Sequence, residues 1–119
     1  MIGIHTVERI NLNAFVERLA SASQINNSLL CIGLDPDPRL MDMPDVLEFN
    51  KAIIAATKDL VCAYKPNLSF YEALGLKGLD ALEKTISYIR DVAPSAILIG
   101  DGKRGDIGST NEIYAKALF

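Results

Sequence analysis

The sequence predicts an α/β fold, an arc of parallel sheet covered by helices, and three observations predict it. Short apolar runs alternate with segments of helical periodicity, the pattern of a chain that builds parallel strands through helical crossovers. Each apolar run ends in charged residues, and parallel α/β folds keep their ligands at the carboxyl ends of strands. Of the 119 residues, 50% are hydrophobic and 23% charged, a balance that supports a packed core and argues against disorder.

Leu12, Phe15, Val16, Leu19 and Ala20 fall at the i, i+3, i+4, i+7, i+8 positions of an amphipathic helix. Leu29 to Leu34 is a strand-length apolar run closed by Asp35-Pro36, since the residue before proline disfavours helix. Asp45 and Glu48 form an N-terminal cap, followed by the helical face Val46, Phe49, Ile53, Ile54 and Thr57. A second strand covers Val61 to Tyr64, closed by Lys65-Pro66-Asn67. Ser69 and Glu72 have capping-box spacing for a short helix that stops at Gly75. Leu79, Leu82, Ile86 and Ile89 mark a longer helix, and Ala96 to Ile99 a third strand. The loop Gly100 to Gly108 follows, and Ser109 and Glu112 cap a last helix running to Phe119.

The formal net charge is −3, with no block of Lys or Arg, so no nucleic-acid partner is expected. No apolar run approaches the roughly 18 residues of a membrane span. The N-terminus lacks a basic stretch followed by an apolar one, so no secretory signal is expected. Cys31 and Cys62 sit inside apolar runs without metal-site or Cys-x-x-Cys neighbours. They read as reduced, packed thiols of a cytoplasmic protein. His5 reads as an ordinary polar residue.

Strand one ends at Asp35, strand two at Lys65, and strand three at Asp101-Gly102-Lys103-Arg104-Gly105-Asp106. Taken alone, Asp35 is equally compatible with a solvated loop. The set as a whole is not, because gathering charges at one rim costs desolvation unless they pair. In an extended segment, residues two apart share a face, so Asp101 and Lys103 can share a pocket that Lys65 enters from the neighbouring strand. An ammonium flanked by carboxylates stays charged and oriented, which suits a proton donor to a carbanion. Gly100-x-Gly102-x-x-Gly105 matches the dinucleotide fingerprint in letters. Asp101 and Asp106 would then face the pyrophosphate, so the glycines read instead as allowing a tight turn and close backbone approach.

Asp101-x-Lys103-x-x-Asp106 followed by Ile107-Gly108-Ser109-Thr110, the string Lys65-Pro66-Asn67-Leu68-Ser69-Phe70-Tyr71-Glu72-Ala73-Leu74-Gly75, and Asp35 in Gly33-Leu34-Asp35-Pro36 together resemble the orotidine 5'-phosphate decarboxylases. The second string is similar to the type 2 branch, found mainly in some bacteria and archaea. The resemblance runs from about Leu12 to Phe119, and its one departure is Gly102, where alanine is usual. It implies a (β/α)8 TIM barrel, with residues 1–119 supplying an N-terminal helix and about the first three βα units of a single decarboxylase domain. It implies decarboxylation of orotidine 5'-phosphate to UMP in pyrimidine biosynthesis, with no metal and no organic cofactor, by a homodimer when full length.

Residue by residue, the resemblance implies that Asp35 binds ribose hydroxyls, while Lys65 bonds a ribose hydroxyl and orients Asp101. Asp101 lies near the substrate carboxylate and helps fix Lys103. Lys103 stabilises charge at C6 of the pyrimidine and then protonates it. Asp106 reaches into the partner's site, with Ile107 and Thr110 contacting the partner's ligand. Ile107 also reads as core and Thr110 as a helix-start residue. Arg104 is assigned no catalytic role, and Asn67 and Ser69 read as turn and cap residues.

A complete barrel needs eight βα units in about 250 residues, and three strands are countable here. The resemblance puts the phosphate-binding loop, its arginine and the closing loop later in the chain. The expectation is therefore that this polypeptide alone has little or no activity and self-associates through open sheet edges. Two other readings stand beside this one. One is a magnesium-dependent sister family of sugar-phosphate enzymes that shares Asp-x-Lys-x-x-Asp. The other is a non-catalytic piece that binds or complements a C-terminal half.

Overall fold

A computed structural model describes residues 12–118. The readings of residues 1–11, including His5 and the expectation of no secretory signal, and of Phe119 lie outside them. The elements are α1 (Leu12–Ile25), β1 (Cys31–Leu34), α2 (Val46–Thr57), β2 (Ala63–Pro66), α3 (Leu68–Glu72), α4 (Leu76–Val92), β3 (Ile97–Leu98) and α5 (Gly108–Leu118). The strands form a parallel sheet with β2 central. Cys31 stands opposite Ala63, and Ala63 opposite Ile97. This is the expected α/β arc.

Side chains alternate across a strand, so the sheet has two unlike faces. Leu34, Tyr64 and Val61 pack under Ile54 of α2 and Ile89 of α4, with Ile32 and Leu98 against the same cluster. Each fully buried aliphatic chain there contributes about 1.5–3 kcal/mol. On the other face Ala63 and Ile97 pack with Cys62 and with Ala22 of α1. Lys65 is two residues beyond Ala63 and shares that second face. The end of the sheet where the strands finish is left open for it.

α2 begins as expected: the Asp45 carboxylate accepts the Glu48 N–H at 2.9 Å. Three other expectations are corrected. Ser69 and Ser109 lie inside the first turns of α3 and α5 and are not caps. Asn67 holds the N-cap position of α3, and Ser69 Oγ donates to Asn67 Oδ1 instead. The inward stripe of α4 is Gly78, Ala81, Thr85 and Ile89: Ile89 is buried as predicted, but the helix is rotated so that Leu82 and Ile86 are only half-buried and Leu79 is exposed. Close approach of α3 drives this rotation, because a β-carbon at Gly78 would lie 1.9 Å from the Tyr71 carbonyl oxygen. Finally, Cys31 is exposed while Cys62 is buried, both as free thiols. Cys31 stands opposite Ala63 in the register.

α1 forms where periodicity predicts, yet its apolar stripe is largely uncovered, with Val16 61% exposed. Leu29 and Leu30 are also exposed, and the strand β1 starts only at Cys31.

β2 is displaced by two residues from its predicted span, following its register with β1, and β3 is shorter than predicted. Backbone donors along this edge run Ile97 N–H to Cys62, Ile99 N–H to Tyr64 and Asp101 N–H to Pro66, with Leu68 N–H returning to Asp101. The missing rung is the one residue 66 would donate, and proline has no N–H. The regular ladder therefore stops at Leu98, and Asn67 and Asp101 pair once more beyond the gap.

A polar knot ties the helices to β1. Asn50 Nδ2 donates to Tyr71 Oη and to Thr85 Oγ1, each at 3.0 Å, and Tyr71 Oη donates to the Leu34 carbonyl at 3.2 Å. Burial pushes the Tyr71 phenol up to about 12. A raised acid stabilises the fold fully below its unfolded value near 10, and that contribution fades as pH climbs toward the folded value. Tyr71→Phe should cost about 1 kcal/mol at neutral pH in urea denaturation, and its stability should fall less steeply than that of the parent between pH 10 and 12. Gly78→Ala should cost about 2 kcal/mol by the same measurement, because its new methyl meets backbone.

Candidate active site

Three consecutive strand ends deliver the functional side chains to one rim. Asp35 follows β1, Lys65 lies within β2, and Asp101 is held beyond β3 by its backbone pairing with Asn67 and Pro66. Asp101 Oδ2 accepts from Lys103 Nζ at 2.5 Å and from Lys65 Nζ at 3.4 Å. The carboxylate is the more enclosed member, its side chain 20% exposed against 67% for Lys103. The Lys103 hydrogen bond, with help from Lys65, holds the Asp101 carboxyl below the ordinary carboxylate range against the opposing effect of burial.

The expected grouping of Asp101, Lys103 and Lys65 is present, but its internal logic is reversed. Among the described residues, one carboxylate sits between two ammonium groups, rather than one ammonium between carboxylates. Asp106 is exposed, its Oδ1 accepting the Ile107 N–H at 2.7 Å. The pairing also does not come from extended alternation. Lys103 has φ 48°, a left-handed conformation that costs a lysine about 1 kcal/mol or more. The turn expected of the glycines is thus made at Lys103; among the described residues, Gly75 is the glycine with positive φ.

Asp35 joins this group through a residue that reads as a turn former. Asn67 Nδ2 donates to Asp35 Oδ2 at 3.1 Å, and Asn67 pairs by backbone with Asp101. Asn67 therefore links the first and third charged positions. Its signal in the sequence is its place two residues after Lys65, just beyond the end of β2. Gly33 leaves room for this, since a β-carbon there would sit 3.1 Å from Asp35 Oδ1.

Ile107 is 71% exposed, which corrects its reading as core. Thr110 lies in the first turn of α5, half-buried, and its N–H donates to the Ile107 carbonyl at 3.0 Å. Asn111 also acts here: its amide accepts the Asp106 N–H and donates to the Asp106 carbonyl. Arg104 pairs with Glu72, and its guanidinium lies 5.8 Å from the Tyr114 ring centroid.

Lys65, Asp101, Lys103, Tyr114 and Leu118 line one side of an open cleft of about 790 Å³. Its lining holds three cations, Lys65, Lys103 and Arg104, against one carboxylate, Asp101, a net positive surface suited to an anionic ligand. Among the described residues, no group of three or more His, Cys, Asp or Glu is arranged to hold a metal ion.

Charged groups gathered at the carboxyl end of a parallel sheet define an α/β protein that holds its ligand at that rim, and likeness to solved decarboxylases makes this three-strand sheet an arc of a (β/α) barrel. Within that class the chain belongs to the orotidine 5'-phosphate decarboxylase / HUMPS family, whose model matches residues 28–119. It is 53% identical over 106 residues to an orotidine 5'-phosphate decarboxylase of Dehalococcoides mccartyi, covering 88% of this chain and 38% of that protein. A Flavobacterium johnsoniae protein of the same name is 53% identical over 98 residues, covering 77% of this chain and 36% of the relative. The structure of Leishmania donovani OMP decarboxylase superposes with a TM-score of 0.71 at 33% identity, covering 87% of this chain and 38% of that one. The chain thus spans under two-fifths of the length of these relatives.

Lys103→Ala should raise the titration midpoint of the Asp101 carboxyl, followed by carbon-13 NMR, and Lys65→Ala should raise it less, in the order of their effects on that group. Because the folded value is depressed, the pairing stabilises the protein above the unfolded value near 3.9 and is lost as pH falls through the folded one. An unmoved midpoint in Lys103→Ala would contradict the geometry.

Proposed function

We propose that residues 1–119 form the N-terminal, active-site-bearing part of a single barrel domain that decarboxylates orotidine 5'-phosphate to UMP. The observation that carries this reading is the chain of ion pairs Lys65–Asp101–Lys103 at the open end of the sheet. Family membership and relatives named orotidine 5'-phosphate decarboxylase at 53% identity support it. Those relatives also favour it over the magnesium-dependent sister enzymes, which the family as a whole includes.

In this reading Asp35 and Lys65 hold the ribose hydroxyls, and Asp101 lies beside the substrate carboxylate. The bond from C6 to that carboxylate breaks, carbon dioxide leaves, and the electron pair remains on C6. Lys103 stabilises that charge and donates a proton from its ammonium to C6, and the resulting amine regains a proton from water. Fixed charges of this kind favour the transition state without reorganising at the moment of reaction. Asp101 matters twice: its ion pair aims Lys103, and its own charge opposes the substrate carboxylate before bond cleavage.

Exposure of Asp106 and Ile107 suits residues that contact a second subunit's ligand, with Thr110 beside them, in a homodimer of complete barrels. The reaction calls for no metal or organic cofactor. The absence of a nucleic-acid partner accords with the net charge of −3, and a cytoplasmic setting with the two free cysteines. Among the described residues, no helix is long and apolar enough to cross a membrane. Remote phosphate binding contributes to catalysis at the reacting carbon, so activity belongs to the complete barrel.

In a complete barrel carrying this sequence, Lys103→Ala should lower kcat for orotidine 5'-phosphate by about a thousand-fold or more, measured by carbon dioxide release. Chelation of divalent metals should leave the parent rate unchanged. Full activity in Lys103→Ala would sink the proposal, and loss of activity on chelation would transfer it to the sister family.

A further inference from the structure

We propose that Arg104 is a positioning residue: its guanidinium fastens the loop between β3 and α5 to α3 and so holds Lys103 against Asp101. The inference deepens the functional reading above and rests on it for the catalytic meaning of Lys103. The contacts themselves do not depend on that reading.

The loop needs such a device. Among the described residues, Gly102 to Gly105 make no backbone–backbone hydrogen bond, so side chains must set its shape. Lys103 is also in a left-handed conformation, φ 48°, from which a lysine relaxes unless neighbours hold it. Arg104, the next residue, provides the anchorage in three directions. Its Nη2 donates to Glu72 Oε1 on α3, and its guanidinium lies over the Tyr114 ring of α5. It also lies across Gly102, where a β-carbon would stand 3.0 Å from Nη1. Arginine suits this role because a planar guanidinium can pair with a carboxylate and stack on an aromatic ring at once.

The anchor point matters. α3 follows directly from β2, which carries Lys65. The Arg104–Glu72 pair therefore ties together the two segments that bring ammonium groups to Asp101. Glu72 also neutralises a cation placed beside Lys103, which would otherwise repel it. The charged groups that face Asp101 are Lys103 from its own loop and Lys65 from β2, and Arg104 acts on it only through Lys103.

The test is a double-mutant cycle on the full chain, read by the carbon-13 NMR titration of the Asp101 carboxyl, which needs no substrate. Arg104→Gln should raise the Asp101 midpoint toward the ordinary carboxylate range, and Glu72→Gln should do the same from the other side of the pair. In a Lys103→Ala background, Arg104→Gln should leave the midpoint where Lys103→Ala alone puts it. A midpoint unchanged by both Arg104→Gln and Glu72→Gln overturns the proposal. An equal rise with and without Lys103 also overturns it, since Arg104 would then act directly on Asp101. Should the cycle come out as expected while the complete barrel fails to decarboxylate orotidine 5'-phosphate, the positioning role stands and the assignment of reaction falls.

Discussion

The Asp101 carboxylate, shared between Lys65 of β2 and Lys103 of the following loop, is the constraint on which the rest of the arrangement depends. It stands at the last backbone pairing of the sheet, so its position is set by the strands rather than by a mobile loop. Lys103 by contrast comes from a segment without backbone hydrogen bonds of its own, and the carboxylate gives that segment a target. Two ammonium groups converging on one rim repel each other unless an anion lies between them. Asp101 is that anion before a ligand arrives, and an anionic ligand finds the remaining positive charge.

Behind this rim the scaffold combines apolar packing with one polar knot. Asn50, Tyr71 and Thr85 lie fully inside, on three different helices, and Tyr71 reaches the Leu34 carbonyl next to Asp35. Buried polar groups weaken a fold when left unpaired and fix its geometry when paired. Asn50 is only partly paired, since its Oδ1 has no partner, but its amide nitrogen orients two helices relative to α2. The knot meets β1 one residue before the site, and α3 leads from the knot to Glu72 and Arg104. Helix packing and cleft geometry therefore share a path through α3.

Much of this was legible in the sequence, for physical reasons that differ by element. The Asp45 cap and the helix it opens were readable because capping and periodicity are local. The strand ends were readable as a charged rim because charges following apolar runs need partners. What escaped depended on neighbours distant in sequence. The inward stripe of α4 follows the small residue Gly78 because α3 presses there, which no periodicity count reveals. The exchange of Asp35 with Asn67 and of Arg104 with Glu72 joins residues 32 apart in each case. The left-handed turn at Lys103 had no glycine to announce it. Cys31 and the α1 stripe read as core and lie exposed, since apolar character says nothing of which surface will cover it.

The prolines that break the β2–β3 ladder and follow β1 have a consequence in the chain before it folds. Asp35 precedes Pro36 and Lys65 precedes Pro66, and a residue before proline is biased toward extended backbone even in a denatured ensemble. Two of the charged residues at the rim therefore forfeit less freedom on folding than their neighbours do. Part of the site's order is already written into the unstructured polypeptide, and one lost rung is the structural trace of that advantage.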